Sequence, residues 1–305
     1  MSDQIPIDRA GYSIGRAPRR AELFQWSIKD QLSALLPSQW RLDARVLQIC
    51  FLGSLLLFGA LVREFALDWQ QVVLAFVAGL AAQATWIRAL GLRQVGYLSA
   101  IVTCFGVSIL VRADSLWVHP LLAALAISSK FVLRISSKHI FNPANLAAIL
   151  AAAVIPGAWI SPGQWGNEVS AALWFVALGS TVTLGARRFD IAWAFLGSYV
   201  GLLLTRLLYL GQPWAVLGNQ LSSGGLLLFT FFMISDPMTT PNRRTMRLLY
   251  ALVVAAIAFV WHFVLFRSNG LIWALFIATP LVPLLDRLMP GSKHSWQAAP
   301  LPARR

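Results

Sequence analysis

The chain has 305 residues, of which 58% are hydrophobic and only 12% charged, and its mean hydropathy is +0.67. An average soluble domain is about one-quarter charged, so this composition excludes a water-soluble fold and makes the lipid bilayer the expected partner. The formal net charge of +13 would suggest nucleic acid as a partner, but the basic residues lie in short loops between apolar runs, which excludes that partner.

Three regions are predicted along the chain. Residues 1–45 are polar and basic and are expected to form a cytoplasmic N-terminal tail. Within this tail, residues 20–42 mix leucine, phenylalanine and tryptophan with charges, which is typical of an interfacial amphipathic helix. Residues 46–286 are predicted to be the transmembrane domain, and residues 287–305 a cytoplasmic C-terminal tail. No short apolar run with a small-residue cleavage site begins the chain, so no cleaved signal peptide is expected.

Charged residues divide the transmembrane domain into uncharged intervals, because a charge at the bilayer centre costs at least about 2.5 kcal/mol. An all-α integral membrane protein with about ten transmembrane helices is therefore predicted. With five spans in each half, the second half starts on the opposite side of the membrane, which predicts a five-plus-five inverted repeat. The predicted intervals are 46–62, 69–87, 94–111, 115–129, 145–160, 170–186, 191–210, 221–235, 248–266 and 270–285.

The basic residues predict the orientation. Of the 25 Lys and Arg residues, 21 fall on the side of the two tails, three on the other side, and Arg206 lies inside the seventh interval. Cytoplasmic loops carry the excess of Lys and Arg, so both termini are expected in the cytoplasm.

The cysteines and two of the histidines lie inside or beside apolar runs. Cys50 and Cys104 are expected to behave as small hydrophobic residues, and no metal site is predicted for them. His119 and His262 lie near the outer ends of the fourth and ninth intervals, where they could be axial ligands of a b-type haem. Neither histidine belongs to a spaced motif, and Pro120 directly follows the first, so chance placement is the simpler interpretation.

The first segment that breaks the apolar pattern is residues 136–145, SSKHIFNPAN. Asn142 and Asn145 flank Pro143, whose ring keeps the preceding residue out of the helical region. Asn145 is then expected to cap the fifth helix. A simple capped turn explains this pattern without any ligand.

The second such segment is residues 231–241, FFMISDPMTTP, in which Asp236 directly follows the eighth interval. A carboxylate at this depth is costly unless it is capped, paired or hydrogen-bonded to a ligand. Asp-Pro followed by two threonines also fits a helix-ending turn with Arg243 and Arg244 as ionic partners. The capping and ligand interpretations both remain open from the residues alone.

These segments resemble two elements of one family. HIFNPANLA is similar to its Asn-x-x-Asn-Pro-Ala element, and FFMISDPMTTP is similar to its F-M-x-x-D-P element. The family comprises the NqrB component of the sodium-translocating NADH:quinone reductase and the RnfD component of the Rnf electron-transport complex. The resemblance covers roughly residue 130 to the tenth interval, and the first four intervals match only in number and hydropathy.

The resemblance implies a ten-helix inverted-repeat fold, related to urea and ammonium channels, in a bacterial inner membrane. It also implies non-covalent riboflavin or FMN, or a quinone, as the cofactor. Asn142 and Asp236 correspond to the family's riboflavin contacts, and His139, Asn145 and Thr239 complete the predicted cofactor-binding set. His139 replaces the first Asn of the family element, and an imidazole offers fewer simultaneous hydrogen bonds than an amide.

A second departure concerns covalent flavin. The family's Ser-Gly-Ala-Thr element, whose threonine carries FMN, should fall between the fifth and sixth helices, where this chain has SPGQWGNEVS at residues 161–170. The nearest threonines, Thr181 and Thr183, lie inside the sixth interval, so covalent FMN is not expected. This pattern resembles a smaller, stand-alone branch of the family known from enediyne-biosynthesis loci, which implies an extracytoplasmic flavoprotein or another redox subunit as the partner.

The resulting functional prediction is a membrane electron-transfer subunit that passes electrons between a cytoplasmic-side pool and an extracytoplasmic redox partner, with ion transport as a coupled process. Such a chain is a component of an oxidoreductase system and not a complete enzyme. Two alternatives remain open: a channel or small-solute transporter of related fold, and a haem carrier that uses the two histidines. The sequence leaves open the electron donor, the acceptor, the direction of flow and the coupled ion.

Overall fold

A computed structural model describes residues 43–61, 68–92, 96–135, 138–161 and 169–292, which lie in one compact unit. The predicted amphipathic helix and most of both predicted tails lie outside these residues. The proposed division of the chain into three regions therefore stays a prediction.

The described chain is mostly helical, as the sequence predicts. In chain order the helices are α1 (Ala44–Leu61), α2 (Trp69–Ala89), α3 (Leu98–Leu110), α4 (Val118–Val132), α5 (Pro143–Val154), α6 (Val169–Gly185), α7 (Phe189–Leu210), α8 (Trp214–Leu221), α9 (Gly224–Leu228), α10 (Arg244–Phe259), α11 (Gly270–Ala278) and α12 (Val282–Leu288). Helix α9 continues as a π-helix over Phe229–Met233, α10 as a π-helix over Val260–Val264, and a 3₁₀ turn at Thr279–Leu281 joins α11 to α12.

Two short antiparallel strand pairs connect helices. Strand β1 (Val111–Ala113) pairs with β4 (Ala158–Ile160), with Arg112 opposite Trp159. Strand β2 (Arg134–Ile135) pairs with β3 (Lys138–His139) in the connection between α4 and α5.

Each predicted interval contains a helical segment, but the segments differ in length. Five described segments are long and apolar enough to cross a membrane: α1, α2, α7, α10 with its π-helix, and α11 through α12. The pair α8 and α9 adds a sixth if it is one bent span, and α3, α4, α5 and α6 are shorter apolar helices. The ten-span count therefore stays a prediction.

The eighth predicted interval, 221–235, contains α9 and its π-helix, and helix α8 precedes it. Helices α8 and α9 meet at an angle of 48°, and Ser223 between them has an extended backbone with φ −60° and ψ 115°. Serine favours helix ends because its hydroxyl competes for backbone groups, and glycine loses the most backbone entropy in a helix. The local sequence Ser222-Ser223-Gly224 therefore separates α8 from α9 at the start of the predicted interval.

The two halves of the described chain show a similar order of helix packing. In the first half the most extensive helix interface joins α2 to α4, and in the second half it joins α7 to α10. Helix α1 packs against α3 in the first half, as α6 packs against α9 in the second. Helix α5 likewise packs against α4, as α11 packs against α10.

The core is apolar and closely packed. The ring of Phe51 on α1 stacks on Phe232 with centroids 4.6 Å apart, and Trp174 lies 5.2 Å from the same ring. Helix α5 approaches α3 closely at Gly106, because a Cβ atom there would lie 2.6 Å from that of Ala144. Small residues allow such backbone approach where helices lack a hydrophobic driving force.

The described chain has two polar ends. The end that carries the β2–β3 hairpin, the starts of α5, α7 and α10, and the end of α12 is called the motif face. The end that carries the β1–β4 pair is called the opposite face. The positive-inside rule predicts that the motif face is cytoplasmic.

Candidate functional site

The start of α5 lies at the motif face, and Asn142 is its N-cap. Asn142 has an extended backbone with φ −64° and ψ 125°, and its Oδ1 accepts a hydrogen bond from the Asn145 backbone N–H at 3.1 Å. Pro143 then occupies the first helical turn, where the missing N–H has no cost. The prediction that Asn145 caps this helix was wrong, because the residue before proline already has the extended conformation that a cap needs.

The two motif segments meet at Asp236. The Nδ2 atom of Asn142 donates to Asp236 Oδ2 at 3.2 Å, across 94 residues of sequence. Asp236 Oδ1 accepts from the backbone N–H of Met238 at 2.9 Å, which forms the helix-ending turn. The carboxylate thus caps a turn and also pairs with an amide. The predicted ion pairs of Asp236 with Arg243 and Arg244, all three of which the structure describes, do not form.

A lysine and an aspartate clamp the loop that follows Asp236. Lys138 Nζ donates to the backbone carbonyl of Thr240 at 2.5 Å and to Asp286 Oδ2 at 2.8 Å. Asp286 Oδ1 accepts from the backbone N–H of Asn242 at 2.7 Å. The hairpin and the end of α12 therefore grip adjacent peptide groups of the same loop.

Two arginines complete the clamp. Arg188 Nε donates to the hydroxyl of Thr240 at 3.0 Å. Arg247 Nη1 donates to the Asn242 carbonyl at 2.6 Å, while its Nε and Nη2 donate to Asp190 Oδ2 at 2.9 and 2.5 Å. Four charged side chains from four segments thus hold the loop, which is called here the clamped loop (residues 235–243).

Burial changes the acid–base properties of these groups. Burial lowers the pKa of the Lys138 ammonium below its usual value, and the bond to Asp286 opposes that shift. Burial also lowers the pKa of the Arg188 guanidinium to about 10, so it stays charged at neutral pH.

His139 lies in strand β3 beside this clamp. Its imidazole interacts electrostatically with Asp236 and with the nearby cations Lys130 and Arg134. The buried Nδ1 atom finds no hydrogen-bond partner among the residues that the structure describes. Burial lowers the pKa of the His139 imidazole below its usual value, so its neutral form is favoured at neutral pH.

Asn145 and Thr239 lie deeper than the other predicted site residues. The amide of Asn145 is fully buried, and the orientation that satisfies both of its atoms lets Nδ2 donate to the Ile272 carbonyl at 3.2 Å and Oδ1 accept from the Phe276 N–H at 3.3 Å. Asn145 thus joins α5 to α11 across the two halves. The hydroxyl of Thr239 donates to the Asp236 carbonyl at 3.4 Å. Cofactor roles for both residues stay predictions.

Sequence reasoning missed Lys138, Arg188 and Asp286. Lys138 stood inside the first motif segment, and Asp286 was the carboxylate at the end of the last interval, so both carried a weak signal. The two partners of Lys138, Thr240 and Asp286, lie 102 and 148 residues away from it along the chain, and no local sequence pattern reveals such contacts.

The two histidines proposed as haem ligands lie in different surroundings near the opposite face. His119 is buried, and its Nε2 lies 3.2 Å from the Val111 carbonyl. His262 lines a cavity of about 180 Å³ together with Ser223 and Asn269, beside the bend between α8 and α9. Within the described ranges, no three His, Cys, Asp or Glu side chains are grouped as a metal site.

Comparison with known proteins bears on the second motif segment. Residues 160–294 match the model of the NQR2, RnfD, RnfE family. This match confirms the resemblance. It includes Asp236 and the whole clamped loop, whereas Asn142 lies outside the matched residues. The family match and the five helices of membrane-spanning length together identify a multi-pass membrane protein.

A relative carries the same family name. The chain is 39% identical over 74 residues to RnfD, a component of the ion-translocating oxidoreductase complex of Stutzerimonas stutzeri. The match spans 23% of this chain and 20% of that protein, so it covers only a fifth of the length of the relative.

Proposed function

We propose that this chain is a membrane electron-transfer subunit that holds a flavin or quinone head group non-covalently at the motif face. The observation that carries the proposal is the hydrogen bond between Asn142 and Asp236, which joins the two motif segments at one point. Asp236 lies within the family match, and the relative is a subunit of an ion-translocating oxidoreductase complex.

The residues around Asp236 suit a polar head group. Asn142 retains a second N–H after its bond to Asp236, and each carboxylate oxygen can accept more than one bond. The Nδ1 atom of His139 adds a buried acceptor without a described partner. The cofactor would supply the redox chemistry, and these side chains would bind and orient it.

The similar packing order of the two halves supports a five-plus-five inverted repeat. In such folds, sites lie where the repeats meet, and broken helices line them. The contact of Asn145 on α5 with α11 is of this kind, because it joins the last segment of one half to the last of the other.

We expect the motif face to be cytoplasmic in a bacterial inner membrane, because 21 of 25 basic residues fall on that side. Reporter fusions after Arg188 and after Arg247 should report the cytoplasm, and a fusion near Trp165 should report the outside. An external signal from the fusion after Arg247 would contradict the ten-span orientation.

The flavin is expected to be non-covalent, because residues 161–170 contain no threonine for a phosphoester bond. The purified protein should show a flavin absorbance spectrum in its native state. The same protein denatured in SDS should show no flavin fluorescence in the gel. A fluorescent denatured band would mean that a threonine elsewhere carries FMN.

Electrons would pass between a cytoplasmic-side pool and an extracytoplasmic flavoprotein or other redox subunit.

The cavity beside the bend between α8 and α9 favours one alternative, a channel or small-solute transporter, since broken helices often line transport sites. A colourless purified protein that increases solute flux into proteoliposomes would favour this alternative.

A further inference from the structure

Tyr250 is a buried polar residue that the two motifs do not include. It lies on α10, is 1% exposed, and is among the largest fully buried side chains. Its hydroxyl finds no hydrogen-bond partner in the part of the chain that the structure describes. Buried tyrosine hydroxyls usually have a partner, and a membrane interior offers little water to supply one.

Tyr250 interacts with a residue of the proposed cofactor site. Tyr250 is close enough to Asp236 for the two groups to interact electrostatically. His139 interacts with the same carboxylate, and its Nδ1 atom also lacks a described partner. Two residues that interact electrostatically with Asp236 thus each carry a buried polar atom without a partner among the described residues.

A purely structural role explains the tyrosine poorly. Its neighbours on the buried side of α10, Ala251 and Val254, are fully buried and apolar. A phenylalanine would pack among them equally well and would leave no buried hydroxyl to satisfy. Buried polar groups without a protein partner are expected at functional sites, where a ligand completes their hydrogen bonds.

We propose that Tyr250 is a ligand-binding residue of the site at Asn142 and Asp236, and that its hydroxyl donates a hydrogen bond to a carbonyl oxygen of the bound head group. The proposal rests on the proposed function, since flavins and quinones both present such carbonyls. Asn142 and Tyr250 supply donors, while Asp236 and neutral His139 supply acceptors. A ligand with both a carbonyl and an N–H group uses all four.

The test is Tyr250→Phe in the full chain purified in detergent, with riboflavin and a short-chain benzoquinone as probes. We expect Tyr250→Phe to weaken binding of the probe that the wild type binds by about 3- to 10-fold, the range expected for one hydrogen bond. Without ligand, its melting temperature should stay the same or rise, because the change removes a buried hydroxyl without a partner.

The matched control is Tyr97→Phe, the same chemical change at a tyrosine that is 46% exposed at the start of α3. It should bind both probes as the wild type does. Unchanged affinity in Tyr250→Phe would overturn the inference, and so would a fall in melting temperature without ligand, since the hydroxyl would then have a structural partner. A wild-type protein that binds neither probe would instead overturn the proposed function and, with it, this inference.

Discussion

Replacing Asp236 with alanine is expected to remove most of the bound cofactor while the protein remains folded. The substitution deletes the carboxylate that Asn142 contacts and with which Tyr250 and His139 interact electrostatically. Loss of this half-buried acceptor should cost about 1 to 3 kcal/mol of binding, which corresponds to roughly 5- to 150-fold in affinity. The measurement is flavin per folded protein molecule, taken beside a melting curve.

Asn142→Ala should also lower the cofactor content, but with a second effect. It removes the N-cap of α5, which should cost about 1 kcal/mol of stability. Asp43→Ala serves as a control, because that carboxylate pairs with Arg45 at the start of α1 and belongs to neither motif segment. If both site variants kept their flavin and lost only thermal stability, the two residues would be helix caps and the site assignment would be wrong.

Replacing Arg247 with methionine is expected to be the most destabilising change at the motif face. Arg247 and Asp190 form an ion pair at 2.5 Å, with exposed side-chain fractions of 12% and 15%. Removing one partner of this largely buried pair leaves Asp190 with the exposed Arg244, 3.9 Å away, as its remaining ion-pair partner among the described residues, and should cost about 3 kcal/mol, the low end of the usual range for buried pairs. The change also removes the bond to the Asn242 carbonyl, so the clamped loop loses one of its anchors.

Arg244→Met is the matched control for this prediction. Arg244 lies 3.9 Å from the same carboxylate, but its side chain is 61% exposed. Exposed ion pairs contribute little, because water screens them and both side chains lose entropy. Melting curves in detergent should therefore show a large fall for Arg247→Met and almost none for Arg244→Met. Equal falls would mean that burial does not determine the strength of these pairs.

The clamped loop also links these two predictions. If its geometry positions Asp236, Arg247→Met should lower stability strongly and flavin content as a consequence, whereas Asp236→Ala should lower flavin content strongly and lose only the stability of the turn at Met238 and of the bond to Asn142. These different patterns separate a residue that supports the site from one that contacts the cofactor.

The sequence by itself determined the membrane class, the approximate positions of the helical segments, and the two motif segments that are proposed to carry the site. Hydropathy and charge determine these features residue by residue, because the bilayer excludes charges and unsatisfied backbone groups along a single segment. The family resemblance likewise rested on short contiguous motifs, and the match over residues 160–294 confirmed it.

Only the tertiary structure decided which polar atoms meet. The bond from Asn142 to Asp236, the grip of Lys138 on Thr240 and Asp286, and the contact of Asn145 with α11 join residues far apart in sequence. The bend before α9 and the unpartnered hydroxyl of Tyr250 within the described chain were equally hidden, because hydropathy does not record a partner or its absence. Such contacts depend on how separate helices pack, and periodicity within one helix carries no information about the register of its neighbours.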